Sequence, residues 1–207
     1  MAEIIVHSSP LEPAAQPLLD GLVAEYDGRY GAVTRPGGAR AEILRYPAEA
    51  YRPTLGDFLL VLRDGETIAG GAFMSHDDAT VELKRIWTRP DLRRQGLAKR
   101  VVQALEASAL RLGYTRAYLT TGFRQPEATA LYASLGYRPL FDVTVDPVLY
   151  RSLPFQKALS PAGGVAATPV EPPAASFEEA TARVNVLKAE QEQRLLARIA
   201  AHRARAA

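Results

Sequence analysis

A strand, a short basic loop and a helix follow one another in the middle of the chain and constrain the fold more than any other stretch. Val81 to Thr88 is rich in β-branched and aromatic residues, and Pro90 disfavours helix in the residue before it. From Gly96 onward, apolar residues recur at helical spacing until Gly113 ends the run. The sequence therefore predicts a strand, a tight turn and an amphipathic helix.

The turn, Arg93-x-x-Gly96-x-Ala98, predicts an anion site at the start of the helix. The first amides of a helix have no intrahelical partner and lie at the positive end of its dipole, which suits a phosphate or pyrophosphate. Consecutive amides in the loop can also form an anion-binding nest. Basic side chains that could contact further phosphates are Arg93, Arg94, Lys99 and Arg100. Taken alone, the pattern also fits an ordinary connection with a solvated basic face.

A second motif further along the chain favours the anion site. A predicted strand over 114–121 leads into Thr-Gly-Phe-Arg-Gln-Pro-Glu-Ala and a short helix over 126–135, which Gly136 ends as a left-handed cap. With R-R-Q-G-L-A and L-Y-A-S-L-G-Y in this order, the chain resembles the GNAT superfamily of acetyl-CoA-dependent N-acetyltransferases. The second motif is similar to the form found in bacterial small-amine and amino-acid-type members.

The resemblance implies an α/β fold of the GNAT type, with a mixed, mostly antiparallel central sheet flanked by helices. The residues themselves predict a strand over 4–7, a helix over 13–30 and two strands joined by an Asp64-Gly65 hairpin turn. Residues 31–51 are rich in glycine, proline and charge and are predicted as loop. The domain is predicted to close near Leu159, with its last strand just before that residue.

The remainder of the chain is predicted as an appendage. Residues 160–175 are rich in proline, alanine and glycine and indicate a linker, whereas 176–207 indicate a helix capped by Ser176. We therefore expect an N-acetyltransferase domain over 1–159, a linker and a C-terminal helix. That helix has an imperfect apolar stripe, so it could be free and partly frayed, or the site of a homodimer or partner contact, with RNA or membrane contact through its arginines as the weaker alternative.

Composition excludes several classes of protein. The chain has 207 residues, no cysteine and a formal net charge of +2, which removes disulfides, thiolate metal sites and a cysteine nucleophile and gives no global case for nucleic-acid binding. The start carries no secretory signal pattern and no run is long enough to span a bilayer, so we expect a cytoplasmic protein without membrane contact. His76, Asp77 and Asp78 are adjacent turn residues, and we predict no metal site there.

The resemblance implies how acetyl-CoA is held. Main-chain amides of the loop would bind the pyrophosphate, and the strand backbone would pair with the pantetheine arm as an added strand and direct an amide at the thioester oxygen. Many relatives have an asparagine ahead of the last helix where this chain has Gln125-Pro126, so that role is either vacant or taken by Gln125. The predicted cofactor-binding residues are Ile86, Trp87, Thr88, Arg93, Arg94, Gln95, Gly96, Leu97, Ala98, Lys99 and Gln125.

Two catalytic residues are also implied. Tyr132 aligns with the tyrosine that protonates the departing thiolate in many members, and a tyrosine is protonated at neutral pH as a general acid must be. Glu82 lies four residues before Ile86, where some members carry the glutamate that takes the amine proton. Strand alternation places Glu82, Lys84 and Ile86 on one face of the strand. Tyr132 could instead be a core tyrosine, Glu82 a salt-bridge partner, and water the base.

We expect direct acetyl transfer to a primary amine of a small molecule in a ternary complex. Acceptor-site candidates are Tyr26, Arg29 and Tyr30 by resemblance, and, as bidentate ligands for a carboxylate, Arg35, Arg45 and Arg52. The alternatives are a protein N-acetyltransferase that acts on an N-terminal or lysine amine, an enzyme for an antibiotic-type amine, and a non-catalytic acyl-CoA sensor.

Overall fold

The computed structural model describes residues 2–31, 38–161 and 170–206. Within these residues, seven strands form one mixed, mostly antiparallel sheet: β1 (Glu3–His7), β2 (Gly56–Arg63), β3 (Glu66–Ser75), β4 (Thr80–Thr88), β5 (Arg116–Gly122), β6 (Arg138–Pro139) and β7 (Ser152–Ala158). Their order in the sheet is β1-β2-β3-β4-β5-β7-β6. The predicted fold class is therefore confirmed.

In the described ranges, five helices accompany the sheet: α1 (Gln16–Tyr30), α2 (Gly38–Ile43), α3 (Leu97–Arg111), α4 (Pro126–Ser134) and α5 (Phe177–Ala206). Short 3-10 turns occur at Pro13–Ala15, Ala48–Tyr51, Pro90–Leu92 and Pro147–Leu149. No helix in the described part of the chain combines the length and the hydrophobicity that a bilayer crossing requires.

The chain divides into two compact units. The first consists of residues 1–75 and 83–112 and the second of residues 76–82 and 113–207, so that β4 contributes residues to both. The domain end near Leu159 is predicted from the position of the last strand in the family that the sequence resembles, and it stays a prediction.

In the first unit, β1, β2 and β3 form an antiparallel meander. β2 and β3 are joined by Asp64 and Gly65, which have φ of 52° and 85°, as the predicted two-residue hairpin requires. Position 71 of β3 requires glycine, because a Cβ there would lie 2.6 Å from Ile86 Cδ1 and 2.9 Å from Val101 Cγ1. This close contact lets α3 pack directly on the strands.

The segment 31–51 differs from its prediction as loop. Residues 32–37 lie outside the described part, but α2 and the turn at Ala48–Tyr51 follow them, so the prediction is wrong there. The reason is burial that local composition does not reveal: the side chains of Ala39, Ile43, Tyr46, Ala50 and Tyr51 are all buried. Packing overrides the weak local propensity.

In the second unit, β5 and β7 pair antiparallel from Arg116–Ala158 to Gly122–Ser152. Helix α4 ends as predicted at Gly136, which has φ of 81°. The amide of Tyr137 donates to the carbonyl of Tyr132 at 3.0 Å and that of Gly136 to the carbonyl of Ala133 at 3.1 Å, which is the Schellman arrangement.

Helix α5 is packed within the second unit. Leu195 and Ile199 are 1% and 4% exposed, and Arg198 forms an ion pair with Asp78 at 2.8 Å. The interpretation of this segment as a free helix is therefore wrong, because one side of its apolar stripe is covered. Residues just before the helix are also bonded, since the amide of Glu171 donates to the carbonyl of Leu140 at 2.7 Å.

Candidate active site

The start of α3 is an open set of backbone donors in the first unit. Gly96 lies before the first helical residue with φ of 80°, Arg94 has φ of 63°, and no side chain caps the first turn. The first turn also contains no acidic residue, and a Cβ on Gly96 would meet nothing within 4 Å. Uncapped amides at the positive end of a 15-residue helix fit a diphosphate group.

The four basic side chains around this loop fall into two pairs. Arg93 forms an ion pair with Glu25 of α1 at 2.7 Å, and Arg100 forms one with Glu3 of β1. Arg94 and Lys99 are exposed and form no ion pair with any residue that the structure describes. Two of the four predicted cations are therefore engaged by the protein itself, and the other two remain available to an anion. Gln95 is exposed as well.

The end of β4 leads into this loop. Ile86 packs over Gly71, and the indole of Trp87 lies against Gly21 of α1, where a Cβ would be 2.3 Å from Trp87 Nε1. Thr88 is buried, and the amide of the next residue donates to the carbonyl of Ile68 in β3 at 2.9 Å. Leu97 is 3% exposed and Ala98 is half-buried, so at these positions the backbone rather than the side chain is presented at the start of the helix.

Sequence reasoning missed Arg85, in the middle of β4. Its φ of 59° is left-handed, which interrupts strand alternation. As a result Lys84 and Arg85, predicted on opposite faces, both reach the tyrosines of one short segment: Lys84 lies 5.6 Å from the ring centre of Tyr46 and Arg85 lies 4.7 Å from that of Tyr51. The sequence signal was a pair of adjacent cations in the middle of the strand.

The guanidinium of Arg85 is held by one neutral group. Its Nε donates to the carbonyl of Ile43 at 2.9 Å, and its Nη2 donates to the same oxygen. Burial lowers the pKa of Arg85 to about 10, whereas the charges of Tyr46, Tyr26 and Glu42 act in the opposite direction. Arg85 is therefore a cation at neutral pH.

In the second unit, Tyr132 lies on α4 with its side chain in an aromatic cluster. It is 7% exposed, and its ring centre lies 5.7 Å from that of Tyr137 and 5.9 Å from that of Phe155. These contacts fix the ring, which a positioned general acid requires and which a core tyrosine would also show.

Glu82 is 1% exposed at the start of β4. Burial raises the pKa of Tyr118 well above its ordinary value, and the negative charges of Glu82 and Glu171 raise it further. The Tyr118 phenol therefore stays protonated, while its ring stacks on His76 with centres 4.9 Å apart. Tyr118 therefore lies near Glu82, a proximity that the family motifs did not predict.

Gln125 has a local structural role. Its Oε1 accepts hydrogen bonds from the hydroxyl of Thr121 and the amide of Gly122, both at 3.0 Å. These bonds tie the end of β5 to the start of α4, and they leave only the side-chain NH₂ group for any contact with a cofactor.

Most of the remaining acceptor candidates are engaged with other side chains of the protein. Arg35 is outside the described residues, Arg45 pairs with Glu42 at 3.6 Å, and Arg52 is exposed. Tyr26 and Tyr30 contact each other with ring centres 5.8 Å apart. Arg29 pairs with Glu25 at 2.9 Å.

The turn over 76–79 is closed by its own side chains. Asp77 accepts from the amide of Ala79 at 2.8 Å, and Asp78 pairs with Arg198. Among the described residues, no three His, Cys, Asp or Glu side chains are grouped as metal ligands.

Comparison with known proteins identifies the family. The model of the acetyltransferase (GNAT) family matches residues 22–137, which is more than half of the chain, and the chain belongs to this family. It is similar to the uncharacterized N-acetyltransferase YjgM of Escherichia coli K12, with 26% identity over 132 residues that span 58% of this chain and 75% of that protein.

Solved structures of the same fold agree with this assignment. A GNAT-family acetyltransferase of Staphylococcus aureus superposes with a TM-score of 0.60 at 13% identity, over 77% of this chain and 100% of that one. PaiA N-acetyltransferase of Thermoplasma acidophilum, in complex with coenzyme A, gives 0.59 at 14% identity, over 76% and 99%. The protein is an acetyl-CoA-dependent acetyltransferase, and the uncapped start of α3 fits the diphosphate of that co-substrate.

Proposed function

We propose that this protein transfers the acetyl group of acetyl-CoA to a primary amine of a small molecule, by direct attack in a ternary complex. The observation that supports it most is the start of α3, where uncapped amides lie beside two cations that no described carboxylate engages, Arg94 and Lys99. A sequence without cysteine also favours direct transfer over a thioester formed on the enzyme.

In this proposal the first unit holds the co-substrate. Amides over 94–99 bind the diphosphate, assisted by Arg94 and Lys99. The backbone of Ile86, Trp87 and Thr88 pairs with the pantetheine arm, and one of its amides faces the acyl oxygen on which charge develops. When bound, acetyl-CoA supplies an acetyl group activated as a thioester. The NH₂ group of Gln125 is the remaining candidate contact.

Tyr132 and Glu82 carry the proton transfers in this proposal. The carboxylate of Glu82 takes a proton from the acceptor ammonium, directly or through water, so that the neutral amine can attack the acyl carbon. As the carbon–sulfur bond breaks, the hydroxyl of Tyr132 gives its proton to the departing sulfur, and the proton that the new amide nitrogen loses returns to the Tyr132 oxygen. Their burial, 7% and 1% exposed, supports these roles because a proton donor or acceptor acts best in a fixed position away from bulk water.

A small acceptor is favoured over a protein chain by the side chains near Arg85. The ring centre of Tyr51 lies 4.7 Å from its guanidinium carbon, that of Tyr46 lies 5.6 Å from Lys84, and both rings are buried, so we expect a ligand beside them to be compact. We keep the cytoplasm as the expected compartment. We also keep a homodimer or partner contact through the exposed side of α5, where Leu187 and Leu196 are each 48% exposed.

The test is Tyr132→Phe in the full chain, with Tyr137→Phe as the matched control in the same aromatic cluster. We expect Tyr132→Phe to lower kcat by about 100-fold or more, because general acid catalysis contributes 10²–10⁴-fold, and to leave calorimetric coenzyme A affinity unchanged. Tyr137→Phe should keep most of the activity.

Thiol release measured with a broad panel of primary amines separates the alternatives. Release with peptides or lysine side chains alone would favour a protein acceptor. Saturable cofactor binding by the wild type with no release for any amine would favour an acyl-CoA sensor and contradict the proposal.

A further inference from the structure

Arg85 differs from the other buried or half-buried arginines of the first unit. Arg63 pairs with Glu3 at 2.5 Å and Arg29 with Glu25 at 2.9 Å, so each has a carboxylate partner. Arg85 has only the carbonyl of Ile43 for its Nε and Nη2, and no described carboxylate forms an ion pair with it. A buried cation is normally paired with an anion because its desolvation is otherwise poorly compensated.

Two buried polar atoms on this pair of residues have no hydrogen-bond partner among the described residues. They are Nη1 of Arg85 and the hydroxyl oxygen of Tyr51. The two side chains are stacked, with the guanidinium carbon 4.7 Å from the ring centre of Tyr51. Buried donors without partners are rare in native proteins, and two on stacked side chains indicate a missing acceptor.

The conformation of Arg85 is itself unusual. A left-handed residue that is not glycine is strained, and such strain is found preferentially at binding and catalytic positions. Here it turns the side chain toward Ile43 and Tyr51, away from the face that strand alternation would give it. The backbone strain, the unpaired cation and the two donors are independent observations on one side chain and its neighbour.

We infer that the amine acceptor carries a carboxylate, and that Nη1 of Arg85 together with the hydroxyl of Tyr51 binds it. This inference rests on the proposed function, since it names the substrate class of that reaction. One guanidinium N–H and one phenolic O–H match the two oxygens of a planar carboxylate. A single cation with Glu42 in its electrostatic surroundings suits a monoanion better than a phosphate dianion.

The experiment compares amine pairs that are matched in size and differ in whether they carry a carboxylate. Thiol release is measured for a panel of amino acids with their free carboxylate and for the corresponding primary carboxamides, which have nearly the same size. The wild type should prefer the carboxylate member by at least ~10-fold in kcat/KM, because a buried hydrogen bond to a charged group is lost in the amide.

Three variants test which residues cause the preference for the carboxylate member. Arg85→Gln should lower kcat/KM for the carboxylate member by ~10–100-fold, mainly through KM, and change the carboxamide by less than ~3-fold. Tyr51→Phe keeps the ring and removes a hydroxyl that has no hydrogen-bond partner in the described part of the chain, so it should lower kcat/KM for the carboxylate member by ~3–10-fold and should fold normally. Arg40→Gln removes an exposed arginine that pairs with Asp20, and it should keep the wild-type preference.

Coenzyme A affinity, measured by calorimetry, should be the same in all four proteins. If turnover occurs but the wild type prefers carboxamides, or if Arg85→Gln and Tyr51→Phe keep the preference for carboxylates, the inference is wrong and the acetyltransferase proposal stands. If Arg85→Gln does not fold, the Tyr51→Phe variant and the preference of the wild type still test the inference. Cofactor binding without thiol release from any amine would contradict the proposed function and the inference with it.

Discussion

Two helices of this protein begin in opposite ways. Helix α3 begins at Gly96 with no side-chain cap, no acidic residue in its first turn and a lysine, Lys99, at its third position. Helix α5 begins after Ser176, whose hydroxyl accepts from the amide of Glu179 at 3.2 Å, and it has Glu178 and Glu179 in its first turn. The third helical residue is thus a cation in one helix and an anion in the other.

The difference separates a helix start that is suited to an anionic ligand from one that is complete by itself. A carboxylate near a helix N-terminus stabilises the dipole and a cation there opposes it, so Lys99 is unfavourable for α3 in isolation. An anionic ligand reverses that balance, since it supplies the negative charge and accepts from the uncapped amides. The start of α5 is already capped, because Ser176 accepts from the amide of Glu179 and Glu179 accepts from the amide of Ala175 just before the helix.

The largest effect should come from the packing of α5. Leu195→Ala should lower the free energy of unfolding by about 2–5 kcal/mol, because a large buried side chain leaves a cavity. Leu196→Ala is the matched control, since Leu195 is 1% exposed and Leu196 is 48% exposed, and its effect should be within about 0.5 kcal/mol.

Urea titrations of both variants measure these changes, and coenzyme A calorimetry on the folded proteins should show wild-type affinity. Weaker cofactor binding by folded Leu195→Ala would mean that α5 contributes to function as well as to stability, and the contrast between the two helices would fail.

A charge exchange tests the two helix starts directly. Lys99→Glu should weaken coenzyme A binding by ~10–100-fold at low salt, because a phosphate contact becomes a repulsion in a partly screened setting. The same change should leave the unfolding midpoint equal or slightly higher, since it favours the α3 dipole. Glu179→Lys should have the reverse profile: unchanged cofactor affinity and a lower midpoint, because it removes an ion pair with Arg183 and a backbone cap at Ala175.

Calorimetry measures the coenzyme A affinity of both variants, and thermal unfolding in the same buffer measures their unfolding midpoints. If Lys99→Glu keeps wild-type affinity, the start of α3 does not hold the diphosphate.

Local backbone features were predictable from the sequence, whereas features that depend on distant packing were not. The uncapped start at Gly96 and the left-handed cap at Gly136 follow from glycine next to a periodic apolar run. The role of Arg85 depends on Ile43, which lies 42 residues away in the chain, and on a left-handed φ that no residue preference indicates. Likewise, Leu195 is buried and Leu196 is exposed because other parts of the protein pack against only one side of α5.

A pair of glycines tests whether the α3 start is shaped by its backbone. Gly96→Ala should lower the free energy of unfolding by about 1 kcal/mol, because its φ of 80° is unfavourable for a residue with a Cβ although space is open. Gly28→Ala, in α1 and also with nothing within 4 Å, should instead raise it by about 0.5–1 kcal/mol through helix propensity. Chemical denaturation measures both, and equal effects would show that the left-handed turn imposes no strain.

The smallest expected effect is the pH dependence at the α5 start. The backbone amide of Ala175 lowers the pKa of Glu179 from its ordinary value of 4.5, and the hydrogen bond and charge of Arg183 lower it further. A carboxyl whose pKa is lower in the folded state stabilises the fold above the ordinary value and loses that contribution as the pH falls through the lowered value. Wild type should therefore have a higher unfolding midpoint than Glu179→Gln at pH 7, and the difference should shrink below pH 4.5 as the folded-state carboxyl takes up its proton.

Exposure and salt screening keep the effect small, so the thermal scans should be run at low ionic strength. Because no acid lies in the first turn of α3, Lys99→Gln serves as the control and should show no such convergence in this pH range. A difference between wild type and Glu179→Gln that stays constant down to pH 3 would mean that the carboxylate charge contributes nothing at this helix start, and the electrostatic part of the contrast with α3 would be lost.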